Sequence, residues 1–277
     1  LHFDLGGFID MNSTEERWVR QYTDTQSSVE WWDSMAADFS KHDLPTSDNS
    51  LAIRIIEQER IPLDNARVLD VGCGSGRFSV ALGRRGATVM GTDLSPKMIG
   101  FAQKAAEGLD RVTFSNDDWY TLDLKEKGWE KSFGLVLANM TPAIADAGTF
   151  MKLSAASIGW CIFVKPSRRV NSLLDPLHEL IGAPRDTKGL DDTIAYAFER
   201  LWRDGLSPKI DYAPEVWHNR KPLEEAVHQY TKRIESYMAL DNAQRDRIKR
   251  HLTNQADKDG FVEETTTTTI VAMYWHV

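Results

Sequence analysis

Cysteine is scarce in this chain. Of 277 residues only Cys73 and Cys161 are cysteines, and neither sits in a CxxC or HxxxC pattern. That argues against a disulfide framework and a structural zinc site, and a reducing, cytoplasmic setting is expected. Basic residues are also outnumbered, with 33 Lys and Arg against 41 Asp and Glu for a net charge of -8. Binding to nucleic-acid phosphates uses clustered Lys and Arg, and a short cluster such as Lys165 to Arg169 does not reverse the balance, so no nucleic-acid partner is expected. No apolar run reaches the roughly 18 to 20 residues that cross a bilayer, and no basic segment followed by an apolar one opens the sequence, so a soluble protein without a membrane partner is expected. Clusters of His, Cys, Asp and Glu at metal-ligand spacing are missing, and a bound metal is not expected. Internal repeats are missing as well. The five threonines from Thr265 to Thr269 run directly into apolar residues and are no low-complexity tail.

What is present is a regular alternation of two periodicities. The first ten residues precede Met11 and are left out of the fold argument. From Thr14 to Phe39 apolar and aromatic residues recur at helical spacing, then Pro45 and a polar run punctuate. Ser50 is placed to cap a helix over Leu51 to Glu59. Arg67–Val71, Thr88–Asp93, Val112–Ser115, Phe133–Ala138 and Trp160–Lys165 read as short buried strands. Helical stretches over Phe78–Arg85, Pro96–Glu107 and Ala145–Ser157 lie among them. Alternation of this kind predicts an α/β fold: a doubly wound, mostly parallel seven-stranded sheet. Between Pro166 and Pro208 the pattern turns irregular, with prolines at 176 and 184 and a helix over Leu190 to Trp202. Ile210–Trp217 then reads as a strand, Pro222–Leu240 and Gln244–Leu252 as helices, and Phe261–Trp275, rich in β-branched residues, as the last strand. The expected organisation is an N-terminal helical segment over 1–50, a Rossmann-like domain over 51–167 and 208–277, and an inserted helical cap over 168–207.

The chemistry concentrates in Val68-Leu-Asp-Val-Gly-Cys-Gly-Ser-Gly76. Three glycines at alternating positions follow a strand and precede a helix, where a side chain would keep a ligand from the backbone and where the helix offers free N–H groups. A dinucleotide loop has GxGxxG spacing; here it is GxGxG, with Asp70 two positions before the first glycine. Seventeen residues after Gly76, at the end of the next strand, Asp93 is placed to accept both hydroxyls of a ribose, with a helix cap as the plainer alternative.

These residues resemble motifs I and II of the class I (Rossmann-like) S-adenosylmethionine-dependent methyltransferases, over roughly Arg67 to Val164. The resemblance implies S-adenosylmethionine as cofactor. Asp70, Gly72, Cys73, Gly74 and Gly76 would then line its methionine end, Asp93 would hold the ribose and Leu94 would pack on the adenine. An acidic residue after the third strand approaches the adenine amino group in this family. Asp117 and Asp118 compete for that place; Leu122 at the usual apolar spacing favours Asp118, which leaves Trp119 beside the adenine or in the core. The run Ala138-Asn-Met-Thr-Pro142 lies at the carboxyl edge, where open α/β sheets bind ligands. It is faintly similar to the Asn-Pro-Pro-Tyr motif of N-methyltransferases, which makes Asn139 a candidate for both cofactor and acceptor, although Met140 and Thr141 replace the prolines. Gly134 stands where many members have Asp.

Methyl transfer is an in-line displacement that needs orientation and exclusion of water. A base is needed only if the acceptor is protonated, and Tyr22, His178 and His218 are candidates, each with a structural or exposed role as its alternative. Trp31 and Trp32 are adjacent, so a helix cannot turn both inward. Arg168 and Arg169 could attract a carboxylate or phosphate, or form a solvated pair. An acidic protein with an inserted cap suits a small-molecule acceptor. The alternatives are a non-catalytic S-adenosylmethionine-binding regulatory module and a nicotinamide-dependent Rossmann oxidoreductase.

Overall fold

The computed structural model describes residues 14–20, 25–183, 189–235 and 238–277. Two helices, α1 (Thr14–Arg17) and α2 (Thr25–Phe39), precede α3 (Leu51–Gln58). The Ser50 hydroxyl caps α3 by accepting the Ile53 N–H at 3.4 Å. Then come β1 (Arg67–Val71), α4 (Arg77–Gly83), β2 (Thr88–Asp93), α5 (Pro96–Ala105), β3 (Val112–Asn116), β4 (Phe133–Asn139), α6 (Ala147–Ala156) and β5 (Ser157–Asn171). α5 starts at a Ser95 cap with Pro96 in its first turn, where proline's missing N–H costs nothing. α6 starts at an Asp146–Thr149 capping box. The remaining elements are α7 (Leu174–Ile181), α8 (Gly189–Arg203), β6 (Lys209–Pro222), α9 (Leu223–Glu235), α10 (Asn242–Gln255) and β7 (Phe261–His276).

Among the described residues the strands form one seven-stranded sheet in the order β3-β2-β1-β4-β5-β7-β6. β1 pairs in parallel with β2 and β4, β2 with β3, and β4 with β5. β7 runs the other way: Ser172 N–H donates to the Thr265 carbonyl and the Thr268 hydroxyl to the Ser167 carbonyl, so residue numbers climb on one strand as they fall on the other. The doubly wound, mostly parallel sheet read from the sequence is therefore present. Chain order reverses at β1, whose neighbours are β2 and β4, and at such a switch point the carboxyl edge opens for a ligand. Pairing brings Asp93 level with Asn116 and Asn139 level with Val164 along that edge.

The chain divides into two compact units, one of residues 1–165, 193–211 and 272–277, the other of 166–192 and 212–271. Segment 193–207, expected in the inserted cap, groups with the first unit together with residues 208–211. The reason is apolar burial: Ala197 and Leu201 of α8 belong to the first unit's core with Trp18, Phe150, Phe163 and Trp275. Phe150 is the hub of that core, with its ring centroid 5.3 Å from each of Trp18, Phe163 and Trp275. The Trp275 indole N–H is satisfied by the Ser154 hydroxyl at 2.9 Å.

In the second unit α7, α9 and α10 share a core of Leu174, Leu177, Ile181, Ala226, Ile234, Ile248 and Leu252. α7 is a helix the sequence pattern concealed, because Pro176 looks like a breaker. It stands in the first turn, where its N–H would have had no intrahelical partner. β5 also runs six residues past Lys165, as the antiparallel bonds from β7 extend it to Asn171.

Replacing Phe150 with Ala removes a fully buried ring with three aromatic neighbours. Urea denaturation is expected to show a loss of about 3–5 kcal/mol, and a loss under 1 kcal/mol would disprove the hub role.

Candidate active site

The loop between β1 and α4 holds Gly72, Gly74 and Gly76 at φ of +66°, +54° and +82°, a region that L side chains rarely adopt. It is fastened to β2, since the N–H groups of Gly72 and Cys73 both donate to the Thr92 carbonyl, at 2.8 and 3.0 Å. The three glycines do different work. A Cβ on Gly72 would lie 1.9 Å from the Thr141 hydroxyl oxygen, and one on Gly76 2.8 Å from the Ala102 Cβ. Those two glycines let the loop pack against the segment after β4 and against α5. At Gly74 a Cβ would meet only the Met98 sulfur, at 3.9 Å, so this is the uncrowded position of the three.

A buried carboxylate and a half-buried one flank the loop. Asp70, on β1, accepts the Ser79 hydroxyl at 2.7 Å. Burial, only partly offset by that bond and reinforced by the nearby Asp93, pushes its pKa up to about 6. Asp93, at the end of β2, accepts the N–H of Gly74 on one oxygen and the N–H of Ser95 on the other, both at 2.9 Å. Burial raises its pKa too, against the pull of those N–H groups. Leu94 follows, half-buried. Cys73 is buried, and burial beside these acids pushes its thiol well above the ordinary range, which makes it an inert wall residue.

The helical segment before the sheet closes over this loop. Asp33 of α2 accepts the Ser95 hydroxyl at 2.6 Å and the Lys97 N–H at 3.2 Å. The Ser75 hydroxyl donates to the Phe39 carbonyl at 3.2 Å, and the Arg77 guanidinium to the Asp43 carbonyl. Trp32 meets Phe39 edge-on at 5.9 Å, while Trp31 is exposed, as expected for neighbours on one helix. Neither Asp33 nor Phe39 was singled out from the sequence. The one available signal, an acid within an aromatic-rich amphipathic helix, does not say which loop the helix covers.

After β3, Asp117 is engaged by Lys127 at 2.8 Å and by the Ser115 hydroxyl; burial works against its charge, but these two bonds hold its pKa below the usual range. Asp118 accepts the Tyr120 N–H at 2.9 Å in a tight local turn. Trp119 is 2% exposed, lies in the core and gives its indole N–H to the Thr149 carbonyl at 2.9 Å. Of the two roles open to this side chain, packing is the one it fills, because no free face is left to stack on a base. Lys152 pins the turn by donating to the carbonyls of Trp119, Tyr120 and Leu122.

At the carboxyl end of β4, Asn139 is half-buried and Met140 takes a φ of +54° with its N–H on the Val164 carbonyl at 2.9 Å. A non-glycine residue held there marks a constrained edge. Beside it stands Lys165, which the sequence analysis saw only as part of a basic cluster. Its ammonium reaches the Ile144 carbonyl at 3.2 Å and the Phe163 ring at 5.9 Å, and burial lowers its pKa to about 8.

The two histidine candidates belong to the second unit. His178 is 9% exposed on α7, among the second unit's apolar residues Leu174, Leu177 and Ile181. His218 is exposed on β6, with its Nδ1 3.3 Å from the Thr265 hydroxyl. Tyr22 lies outside the described residues. Arg168 is exposed, whereas Arg169 is half-buried against Trp217, so the two do not form one solvated pair.

Strand order, glycine loop and the acid ending β2 are those of the Rossmann-like fold of class I S-adenosylmethionine-dependent methyltransferases. Residues 68–152 match the family model described as a methyltransferase domain. The ubiquinone biosynthesis O-methyltransferase of Xylella fastidiosa (strain 9a5c) is 44% identical over 73 residues, covering 26% of this chain and 28% of that protein. The mitochondrial ubiquinone biosynthesis O-methyltransferase of Bos taurus is 30% identical over 164 residues, covering 51% and 44%. The chain thus spans less than half the length of these curated relatives. Among solved structures, YcgJ from Bacillus subtilis shares the fold with a TM-score of 0.50 at 14% identity, over 80% of this chain and 96% of that one. Phosphoethanolamine N-methyltransferase 2 of Haemonchus contortus does so with a TM-score of 0.50 at 16% identity, over 93% and 60%.

The raised Asp70 pKa has a consequence for stability. A carboxylate whose folded-state pKa lies above its unfolded value contributes stability below about pH 4 that is lost as pH climbs through about 6, here roughly 3 kcal/mol in total. Asp70→Asn is expected to flatten urea-derived stability between about pH 4 and pH 8, leaving the shallower slope from Asp93. An unchanged pH profile would show that Asp70 titrates normally.

Proposed function

We propose that this chain transfers the methyl group of S-adenosylmethionine to a small-molecule acceptor. The observation that carries the reading is the pair of carboxylates, the buried Asp70 and the half-buried Asp93, beside the uncrowded backbone of Gly74. That donor set fits a ligand with a cationic methionine end and a ribose diol. It does not fit the pyrophosphate of a nicotinamide dinucleotide, which two adjacent carboxylates would repel. When bound, the cofactor supplies an electrophilic methyl group on a sulfonium.

The chain's own residues then have distinct tasks. Gly74 admits the methionine end to the backbone, and Asp70, ionised near neutral pH, faces its positive charge. Asp93, already oriented by the Gly74 and Ser95 N–H groups, accepts the ribose hydroxyls. Leu94 packs on the adenine, and Asp118, rather than the Lys127-bound Asp117, takes the adenine amino group. The cover of α2 excludes water from the loop. Asn139 and the constrained Met140 backbone orient the acceptor at the end of β4. Lys165 is the base we favour there over His178 and His218, because burial leaves an appreciable fraction of its amine neutral near pH 7. The O-methyltransferase relatives and the net charge of -8 support a hydroxyl-bearing small molecule over a nucleic acid.

Calorimetric titration with S-adenosylmethionine and S-adenosylhomocysteine is expected to show saturable binding, at least ten-fold weaker in an Asp93→Ala variant whose thermal denaturation shows it folded. No binding by folded wild type overturns the reading. Binding without transfer to any of a broad panel of phenols, acids and amines favours the regulatory-module alternative.

With an acceptor in hand, kcat/KM is expected to rise with pH through about 8 and the limb to vanish in Lys165→Met, with cofactor affinity unchanged. A limb that survives the substitution assigns the base elsewhere.

A further inference from the structure

The second unit contains a cavity of about 210 Å³ whose wall includes Arg169, Asn171, Trp217, Asn219, Arg233 and Glu264. Arg169 comes from the extension of β5, and its guanidinium lies over the Trp217 ring, 5.0 Å from the centroid. Such a cation–π contact holds the guanidinium without using its N–H groups. The Nε is buried and has no hydrogen-bond partner, and no ion pair to Arg169 is formed among the described residues. A guanidinium carries five donors and cannot shed its proton, so leaving it half-buried without an acceptor is costly unless something else supplies one.

The acid in the wall does not supply it. Glu264 accepts the Asn171 side-chain N–H and pairs with Lys221 at 3.2 Å. Burial works against its charge, yet these partners keep its pKa below the ordinary range. Its hydrogen-bonding oxygens are thus engaged by Asn171 and Lys221, and although its charge attracts Arg169 across the wall, Arg233 adds a second cation there that repels Arg169 more strongly. Two guanidiniums, a side-chain amide at the rim and an aromatic face around a space of this size form a receptor for an oxyanion.

We propose that this cavity binds a small molecule through a carboxylate or phosphate group, gripped by Arg169 and Arg233 and bordered by Trp217. The site lies wholly within the second unit and does not depend on the methyl-transfer reading.

The full chain is titrated by calorimetry at low salt with inorganic phosphate and, separately, with benzoate. Saturable binding of either is expected; a preference for phosphate identifies a phosphate site, and one for benzoate a carboxylate site with a ring against Trp217. Arg169→Gln is expected to weaken binding at least ten-fold. Because a half-buried side chain can matter for folding, Asn219→Asp serves as the second variant: position 219 is exposed, and a carboxylate at the rim is expected to weaken binding at least ten-fold as well. Failure of folded wild type to bind either anion saturably, or wild-type affinity in the Asn219→Asp protein, overturns the proposal.

Discussion

A single carboxylate ties the two loops of the methyltransferase domain together. One oxygen of Asp93 holds the N–H of Gly74 in the loop after β1, and the other holds the N–H of Ser95 in the loop after β2. Ser95 in turn caps α5 and donates its hydroxyl to Asp33, which brings α2 into the same network. Glycine loop, second-strand turn, helix start and covering helix are thereby fixed by adjacent hydrogen bonds centred on one charged group. They add to the two N–H bonds from Gly72 and Cys73 to Thr92 in holding three left-handed glycines, each of which loses more conformational freedom on folding than any other residue.

The arrangement sets stability against readiness to bind. Burying Asp70 beside Asp93 disfavours the charged form of both, and an all-apolar core at these positions would avoid that cost. The same burial makes each carboxylate respond strongly to a cation or a hydroxyl donor arriving at Gly74, because the interaction takes place where little water screens it. Stored unfavourable electrostatics of this kind is a common mark of functional sites.

Much of this was legible from residue order. Parallel strands leave near-continuous apolar runs, so β1, β2 and β4 stood out, and the glycines with Asp70 and Asp93 marked the carboxyl edge. What was concealed depended on contacts far apart in sequence. Asp33 could not be linked to Ser95 without knowing that α2 packs on α5. Lys165 looked like one member of a basic cluster until the strand pairing set its stem beside Phe163 and its ammonium under the Ile144 carbonyl. Trp119 looked equally suited to a base and to a core, and its near-complete burial, with the indole N–H on the Thr149 carbonyl, separated the two. α7 was lost to Pro176, whose position within the first helical turn could not be known before the helix itself.

The first unit is discontinuous in the chain, and Trp275 from its last segment is wedged against Phe150. During synthesis, residues 14–165 therefore emerge long before the strand that completes their core. All of the second unit is made in the interval. The contact of Phe150 with Trp275 can form only once residues 272–277 have been made. The core of this unit is therefore completed only after all of the second unit has been made, whatever the speed of its individual steps.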